Sequence, residues 1–264
     1  MKIIATLGAA TALCLAGGMA SAAGVDLSGW VENGNPNNNA GTWTVQGVNS
    51  DSVLQSRNGT PTVFFDDGPT GTGTNAQGTQ LSGTISVGSS TDDDFIGFVL
   101  GYQPNEINSA TADFWLIDWK RGQQSGQTAG LALSHVSGNL TSTDTGVNGP
   151  WWQHDAPVTE VQRAVNLGTT GYAQNRLYAF DLEFTQNLIE VKVDGIVELS
   201  YTAAMNGGTF SNGAFGFYNF SQERVTYAGI TQQQAPSIPV PAALPLILSG
   251  LGAMGALRLR RRND

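Results

Sequence analysis

The sequence predicts an all-β sandwich or jelly roll, and three observations predict it. Between residues 26 and 230 the strongest apolar periodicity is two, no dozen residues keep a helical stripe, and short apolar runs alternate with Gly, Asn and Ser breaks. Period two is the signature of a strand with one buried face. In chain order, strands are expected at 43–48, 62–65, 81–87, 95–100, 114–119, 131–136, 178–184, 189–193, 197–201, 215–220 and 225–230. In 178–184 the residues Tyr178, Phe180, Leu182 and Phe184 share one face, leaving Asp181 and Glu183 on the other. Directly opposed residues of a hairpin must also share a face. A two-residue Asp194-Gly195 loop sets Val191 against Glu198. A three-residue Val193-Asp194-Gly195 loop sets Val191 against Val197 and Ile189 against Leu199, so three residues are expected. Gly68, Gly71, Gly73 and Gly78 fall in one polar loop, expected to be mobile.

Composition limits the function classes. The 264 residues include 34 Gly and 23 aromatics, enough for a full core, with only 12% charged. Five of the 12 basic residues lie in the two termini, whereas only Asp264 of the 21 acids does. The interior therefore carries seven bases against twenty acids, a net charge of −13. Such a body repels phosphate backbones and excludes nucleic-acid binding, leaving cations, neutral sugars and proteins as partners.

The ends read as addresses. Lys2, an apolar run to Met19 and Ala20-Ser21-Ala22 form a secretory signal, with cleavage expected after Ala22 or Ala23. Cys14 lies inside that signal, so the mature chain has no cysteine and uses no disulfide. At the other end, Ile238-Pro239-Val240-Pro241-Ala242 precedes an apolar stretch, 240–257, and Arg258, Arg260, Arg261 and Arg262. That stretch is just long enough for a transmembrane helix, and the arginines stay cytoplasmic. Motif, helix and basic cluster in this order resemble the bacterial PEP-CTERM sorting signals of the Val-Pro-Leu-Pro-Ala variant. The resemblance implies transient inner-membrane anchoring, cutting by an exosortase, and release to a surface or exopolysaccharide matrix; the simpler alternative is a permanent anchor. The expected organisation is signal peptide 1–23, one domain 24–231, and linker with sorting segment 232–264.

Three segments carry a second resemblance: Asp92-Asp93-Asp94 running into Phe95-Ile96-Gly97-Phe98-Val99-Leu100-Gly101-Tyr102-Gln103, then Phe114 through Trp119-Lys120, then Gly216-Phe217-Tyr218-Asn219-Phe220-Ser221-Gln222-Glu223. Together they resemble the thrombospondin C-terminal domain, most weakly over 137–174. Asn219 departs from that pattern by standing where the family often has a disulfide-bonded cysteine, and the aspartate-rich repeats and EGF modules of animal thrombospondins are absent. The resemblance implies a concanavalin or L-type-lectin-like jelly roll that binds calcium and mediates extracellular adhesion.

Calcium takes six to eight oxygens from a flexible loop, and Asp92, Asp93 and Asp94 offer carboxylates just before a strand. Carboxylates about 6 Å apart in water repel by only about 0.7 kcal/mol, so on residues alone an exposed acidic turn is as good a reading. The resemblance tips the balance to calcium; Asp66 and Asp67 are further oxygen donors. Enzymes of this fold need paired carboxylates on one face. Asp181 and Glu183, roughly 6.6 Å apart along one strand, are the candidate pair for a glycoside hydrolase. The laminarinase-type Glu-x-Asp-x-x-Glu is absent, as are Gly-x-Ser-x-Gly and any metal-ligand spacing between His135 and His154. His154 beside Trp151 and Trp152 is a candidate for a sugar-stacking surface, with core packing the better explanation of the tryptophans. The expected function is an exported, non-catalytic, calcium-binding recognition or adhesion module whose ligand is an exopolysaccharide or a surface protein. The alternatives are a polysaccharide-active hydrolase using Asp181 and Glu183, and a purely structural matrix protein.

Overall fold

Two kinds of apolar pattern, alternating and continuous, divide the strands between two antiparallel sheets in this computed structural model, which describes residues 22–34, 40–89, 91–141 and 143–236. The expected signal before residue 22, the Pro-rich motif, the apolar 240–257 stretch and the arginine cluster lie outside those residues. Among the described residues no helix is long and apolar enough to cross a membrane. In chain order the strands are β1 (Ala23–Gly24), β2 (Val31–Gly34), β3 (Trp43–Gln46), β4 (Ser52–Gln55), β5 (Thr62–Phe65), β6 (Thr79–Val87), β7 (Phe95–Tyr102), β8 (Ala112–Lys120), β9 (Gly130–Gly138), β10 (Val158–Arg163), β11 (Leu177–Phe184), β12 (Leu188–Val193), β13 (Ile196–Thr202), β14 (Ala214–Phe220) and β15 (Val225–Gln234). One sheet runs β13-β12-β11-β6-β15-β4-β3, with β1 added beside β15; the other runs β10-β9-β8-β7-β14-β5-β2. The fold is an all-β jelly-roll sandwich.

Alternation explains the first sheet. In β11 the even residues Tyr178, Phe180, Leu182 and Phe184 are buried, while Asp181 and Glu183 lie on the partly exposed outer face. The second sheet is buried on both sides, which explains its continuous runs. Phe98, Leu100, Trp115, Ile117, Trp119 and Phe217 face the first sheet. Phe95, Val99, Phe114, Leu116, Tyr218 and Phe220 face outward and pack under Trp151 and Trp152 of a one-turn helix, α1 (Pro150–Gln153). The paired tryptophans are therefore core, 2% and 3% exposed. His154 is buried beside them and belongs to no sugar-stacking surface, because the helix lies flat on the sheet.

Each expected strand position carries a strand, and β1, β2, β4 and β10 are additions. In β10 a bulge between Glu160 and Gln162 breaks the alternation and turns Val161 outward. β15 continues three residues beyond Thr231, where the sequence reading ends the domain, because Gln232, Gln233 and Gln234 pair with Leu81, Gln80 and Thr79. The glycine loop after β5 is tied by Gly73 N to Asp67 O (2.7 Å) and Ala76 N to Gly213 O (2.7 Å).

The β12–β13 hairpin corrects the three-residue expectation. Val193 pairs with Ile196 across a two-residue Asp194-Gly195 turn, and both turn residues have positive φ, 51° and 78°. The parity conflict is resolved by a bulge at Glu198: Lys192 faces Val197, Val191 faces Leu199, and Ile189 faces Tyr201. Glu198 is 2% exposed, and its carboxylate accepts from the backbone amides of Asn166 (2.9 Å) and Leu167 (3.0 Å). Its carbonyl accepts from Val165 N, 2.9 Å. A further pin crosses between the sheets. The Tyr227 hydroxyl of β15 lies 2.8 Å from Tyr218 O and receives Gly97 N–H at 3.2 Å.

Glu198→Ala removes the acceptor of two part-buried amides and should cost about 1–3 kcal/mol in urea unfolding, whereas Glu198→Gln should recover part of that loss. A Glu198→Ala variant within about 0.5 kcal/mol of wild type would refute the assignment of this carboxylate as the bulge's anchor.

Candidate functional site

The three motif segments, far apart in sequence, meet at one end of the sandwich. Asp92, Asp93 and Asp94 lead into β7, Lys120 ends β8 directly opposite Phe95, and Gln222 follows β14. Lys120 is 1% exposed, and its Nζ donates to Asp94 Oδ1 at 2.9 Å and to the Asp93 carbonyl at 3.3 Å. The ammonium sits 4.3 Å from the Trp152 ring centroid and 4.9 Å from that of Phe95. In the orientation its neighbours require, the Gln124 amide nitrogen donates to Asp93 Oδ1 and Asp94 Oδ1, both 3.0 Å. Gln222 Oε1 accepts from Asp94 N at 3.2 Å and lies 2.6 Å from the Tyr172 hydroxyl, which is also 2.9 Å from Asp94 O. Asn219, at the family's cysteine position, is buried, and its Oδ1 accepts from the Gln55 amide.

The acidic triplet thus divides. Asp94 is neutralised by the chain's own cation, and Asp93 Oδ1 lies 3.9 Å from the same ammonium. The Asp93 carbonyl already accepts from the amides of Arg121 and Gly122 (both 3.1 Å), and the Asp92 carbonyl accepts from Arg121 Nη1 (2.8 Å). Asp92 contacts both the Asp94 carboxylate and Asn58, whose amide donates to Asp92 Oδ2 and whose Oδ1 accepts from Ser221 Oγ (3.1 Å). Burial, then the charges of Asp94, Asp93 and Glu223, push the Asp92 carboxyl up to about 6. Among the described residues no three His, Asp or Glu side chains converge as a metal cage. Asp94 is committed to Lys120. Asp92, in excess negative potential at the surface, fits a cation better.

A second buried pair lies one position back along the same face of β8. Asp118, 1% exposed, accepts from His154 Nε2 at 2.9 Å. His154 caps α1 with φ 54°, and its Nδ1 faces Glu160 Oε2 at 3.6 Å, too far for a hydrogen bond. Arg163 Nη2 closes the group on Glu160 at 2.7 Å. Burial pulls the imidazole down, but Asp118 and then Glu160 outweigh it and raise it to about 9. Charges inside an apolar strand must be paired, so Asp118 and Lys120 within Phe114–Lys120 were the sequence signal for this network. The carboxylates considered for catalysis lie elsewhere, on the outer face of the first sheet. Asp181 Oδ1 accepts from Ser82 Oγ (2.5 Å) and Gln80 Nε2 (3.2 Å), and Glu183 stands directly opposite Glu190. Burial and the Glu190 charge raise the Glu183 carboxyl. Asp66 and Asp67 follow β5 and do not join the triplet's hydrogen bonds.

A sequence profile of the thrombospondin C-terminal region matches residues 38–234. Thrombospondin-3b of Danio rerio is 23% identical over 174 residues, 61% of this chain and 18% of that protein. Thrombospondin-2 of Gallus gallus is 28% identical over 163 residues, 57% of this chain and 13% of that protein. The chain thus spans less than a quarter of the length of these relatives. A solved carbohydrate binding module, CBM66 from Bacillus subtilis, shares the fold with a TM-score of 0.51 at 10% identity, covering 78% of this chain and 96% of that one.

Two outcomes follow from the buried pairs. Asp94→Asn unpairs Lys120 and should cost about 3–5 kcal/mol with or without added calcium, and Lys120→Met in the same chain should restore much of it. His154 has a folded value above its ordinary 6.5, so its pairing stabilises fully below about pH 6.5 and fades as pH rises toward 9. The unfolding free energy from urea titrations should fall over that window by an amount on the order of 3 kcal/mol, and His154→Gln should flatten the fall. A wild-type profile flat from pH 6 to 9.5 would contradict a charged His154.

Proposed function

The chain belongs to the thrombospondin C-terminal family, and from that premise we propose that it is an exported, non-catalytic recognition module that binds calcium and a carbohydrate of a cell surface or exopolysaccharide matrix. The observation that carries the reading is the meeting of the family's three segments around Asp94, Lys120 and Gln222 at one end of the sandwich. That framework holds the Asp92 side of the triplet at the surface under like-charge repulsion, a disposition a divalent cation relieves. Asp92 and Asp93 are the proposed calcium ligands, with Asp94 kept for Lys120. A shared fold with a carbohydrate binding module makes a saccharide the first ligand class to test. Non-catalysis is supported by the placement of Asp181 and Glu183 on a flat strand surface, with Asp181 held by Ser82 and Gln80. The signal peptide and the PEP-CTERM-like tail supply the route: export, transient anchoring, and exosortase cutting near Pro241.

Calcium at a hundred times its dissociation constant should add about 2.7 kcal/mol of stability, read as a rise in melting temperature. Asp92→Asn with Asp93→Asn should abolish that rise without the baseline loss of Asp94→Asn. A melting curve unchanged by EDTA would end the calcium reading, and reducing-sugar release that disappears in Asp181→Asn with Glu183→Gln would end the non-catalytic one. Mass spectrometry of cell-derived protein should find a C-terminus near Pro241; intact peptides through Arg260 would replace sorting by permanent anchoring.

A further inference from the structure

A polar-lined cleft opens into the sandwich beside Trp30. Lying between the two sheets, it measures about 240 Å³ and is lined by Trp30, Asp66, Thr74, Asn75, Gln232 and, at its floor, Leu81 with Phe215. Two of these polar residues stand where a sandwich normally puts apolar ones. Gln232 pairs directly with Leu81, a core residue, so the two side chains share the inward face. The parity is set by a bulge in β15 between Ala228 and Thr231, where Gly229 has φ 63°. Asp66 lies two positions beyond Phe64, also a core residue, and so continues the inward side of β5. A carboxylate and an amide thus face the interior from opposite sheets, beside an indole stacked on Phe217 at 5.2 Å.

The walls are fixed by the chain itself. Asp66 Oδ1 accepts from Gly68 N at 2.9 Å, and its carbonyl accepts from Thr74 Oγ1 at 3.0 Å. Gln232 Nε2 donates to Thr79 Oγ1 at 3.0 Å, and Thr79 Oγ1 in turn donates to Ala76 O at 2.6 Å. These bonds occupy one oxygen of Asp66 and one of the two N–H donors of Gln232. The remaining carboxylate oxygen and the amide oxygen are acceptors, and Asn75 and Thr74 at the rim add both donors and acceptors. Small-ligand pockets combine an apolar or aromatic floor with a few fixed polar groups, and a cleft of this size has room for a single small ring.

We propose that this cleft is a binding site for one ring of a neutral saccharide, its C–H face against Trp30 and Phe215 and its hydroxyls donated to Asp66 and Gln232. The inference rests on the carbohydrate reading above and gives it a location separate from the acidic triplet. A vicinal diol matches the acceptor set, because each hydroxyl brings the proton that the carboxylate and amide oxygens lack.

The test uses saturation-transfer NMR and glycan arrays on the protein produced from the full chain, with glucose, galactose, mannose, fucose and N-acetylglucosamine as probes. At least one should bind, and Asp66→Asn and Gln232→Leu should each weaken it by about tenfold or more. Asn keeps the oxygen that accepts from Gly68, and Leu extends the apolar core, so both variants should stay folded, checked by their melting temperatures. Asp92→Asn should leave the affinity unchanged. A saccharide bound equally by wild type and both variants overturns the site while the carbohydrate reading stands. No binding by wild type to any probe or array glycan overturns both.

Discussion

The structure depends on one constraint, that its seven-stranded sheet is apolar on both faces. One face is satisfied by the partner sheet, but Phe95, Phe114, Leu116 and Phe220 on the other need a cover. Trp151 and Trp152 supply it. Laying that cover over β8 also seals Asp118 and Lys120, which share the outer face with Phe114 and Leu116, away from water. Each buried charge must then find an opposite one, and the cover and the β7 entry provide them: His154 follows the tryptophans, and Asp94 precedes Phe95. The conformation of the acidic triplet is thus set by hydrophobic packing on a neighbouring strand.

Such pairs are an expensive way to hold a fold together. Desolvating an ammonium and a carboxylate costs several kcal/mol each, and mutual attraction returns that only with good geometry and extra hydrogen bonds. Here the geometry is good: the Lys120 ammonium has a carboxylate, a carbonyl and two aromatic faces. Apolar residues of similar size would fill the space at less risk. What the ionic version adds is orientation, since Asp94 is fixed at its side chain, its amide and its carbonyl at once. Asp92, two residues earlier, is thereby held half-buried beside Asp94 at that end of the sandwich.

Sequence alone disclosed the strands, because alternation in Tyr178 to Phe184 and the apolar run of Phe95 to Tyr102 are local properties of a pleated chain. It also disclosed which segments matter, through their resemblance to a known family. What stayed hidden depends on contacts between distant residues. The hairpin looked like a three-residue loop because parity was counted without a bulge, and the bulge exists only because Asn166 and Leu167, thirty residues upstream, offer amides to Glu198. Asp94 read as one of three equal carboxylates because its partner Lys120 lies twenty-six residues on. The inward position of Gln232 likewise follows from a register shift at Gly229 that no periodicity reveals.

The Glu198 bulge has a bearing on how the protein behaves among copies of itself. β13 is an outer strand of one sheet and β10 of the other, and an outer strand offers its unpaired amides and carbonyls to any chain that drifts alongside. On this flank the offer is withdrawn: the Glu198 carbonyl is taken by Val165 N and the Ser200 carbonyl by Gln162 Nε2 (3.2 Å). The two sheets stitch their own borders together there. Wherever like chains meet at high concentration, a border closed from within gives a neighbour's strand no template to extend at those positions, so the domain can be concentrated without being drawn into a growing sheet along that seam.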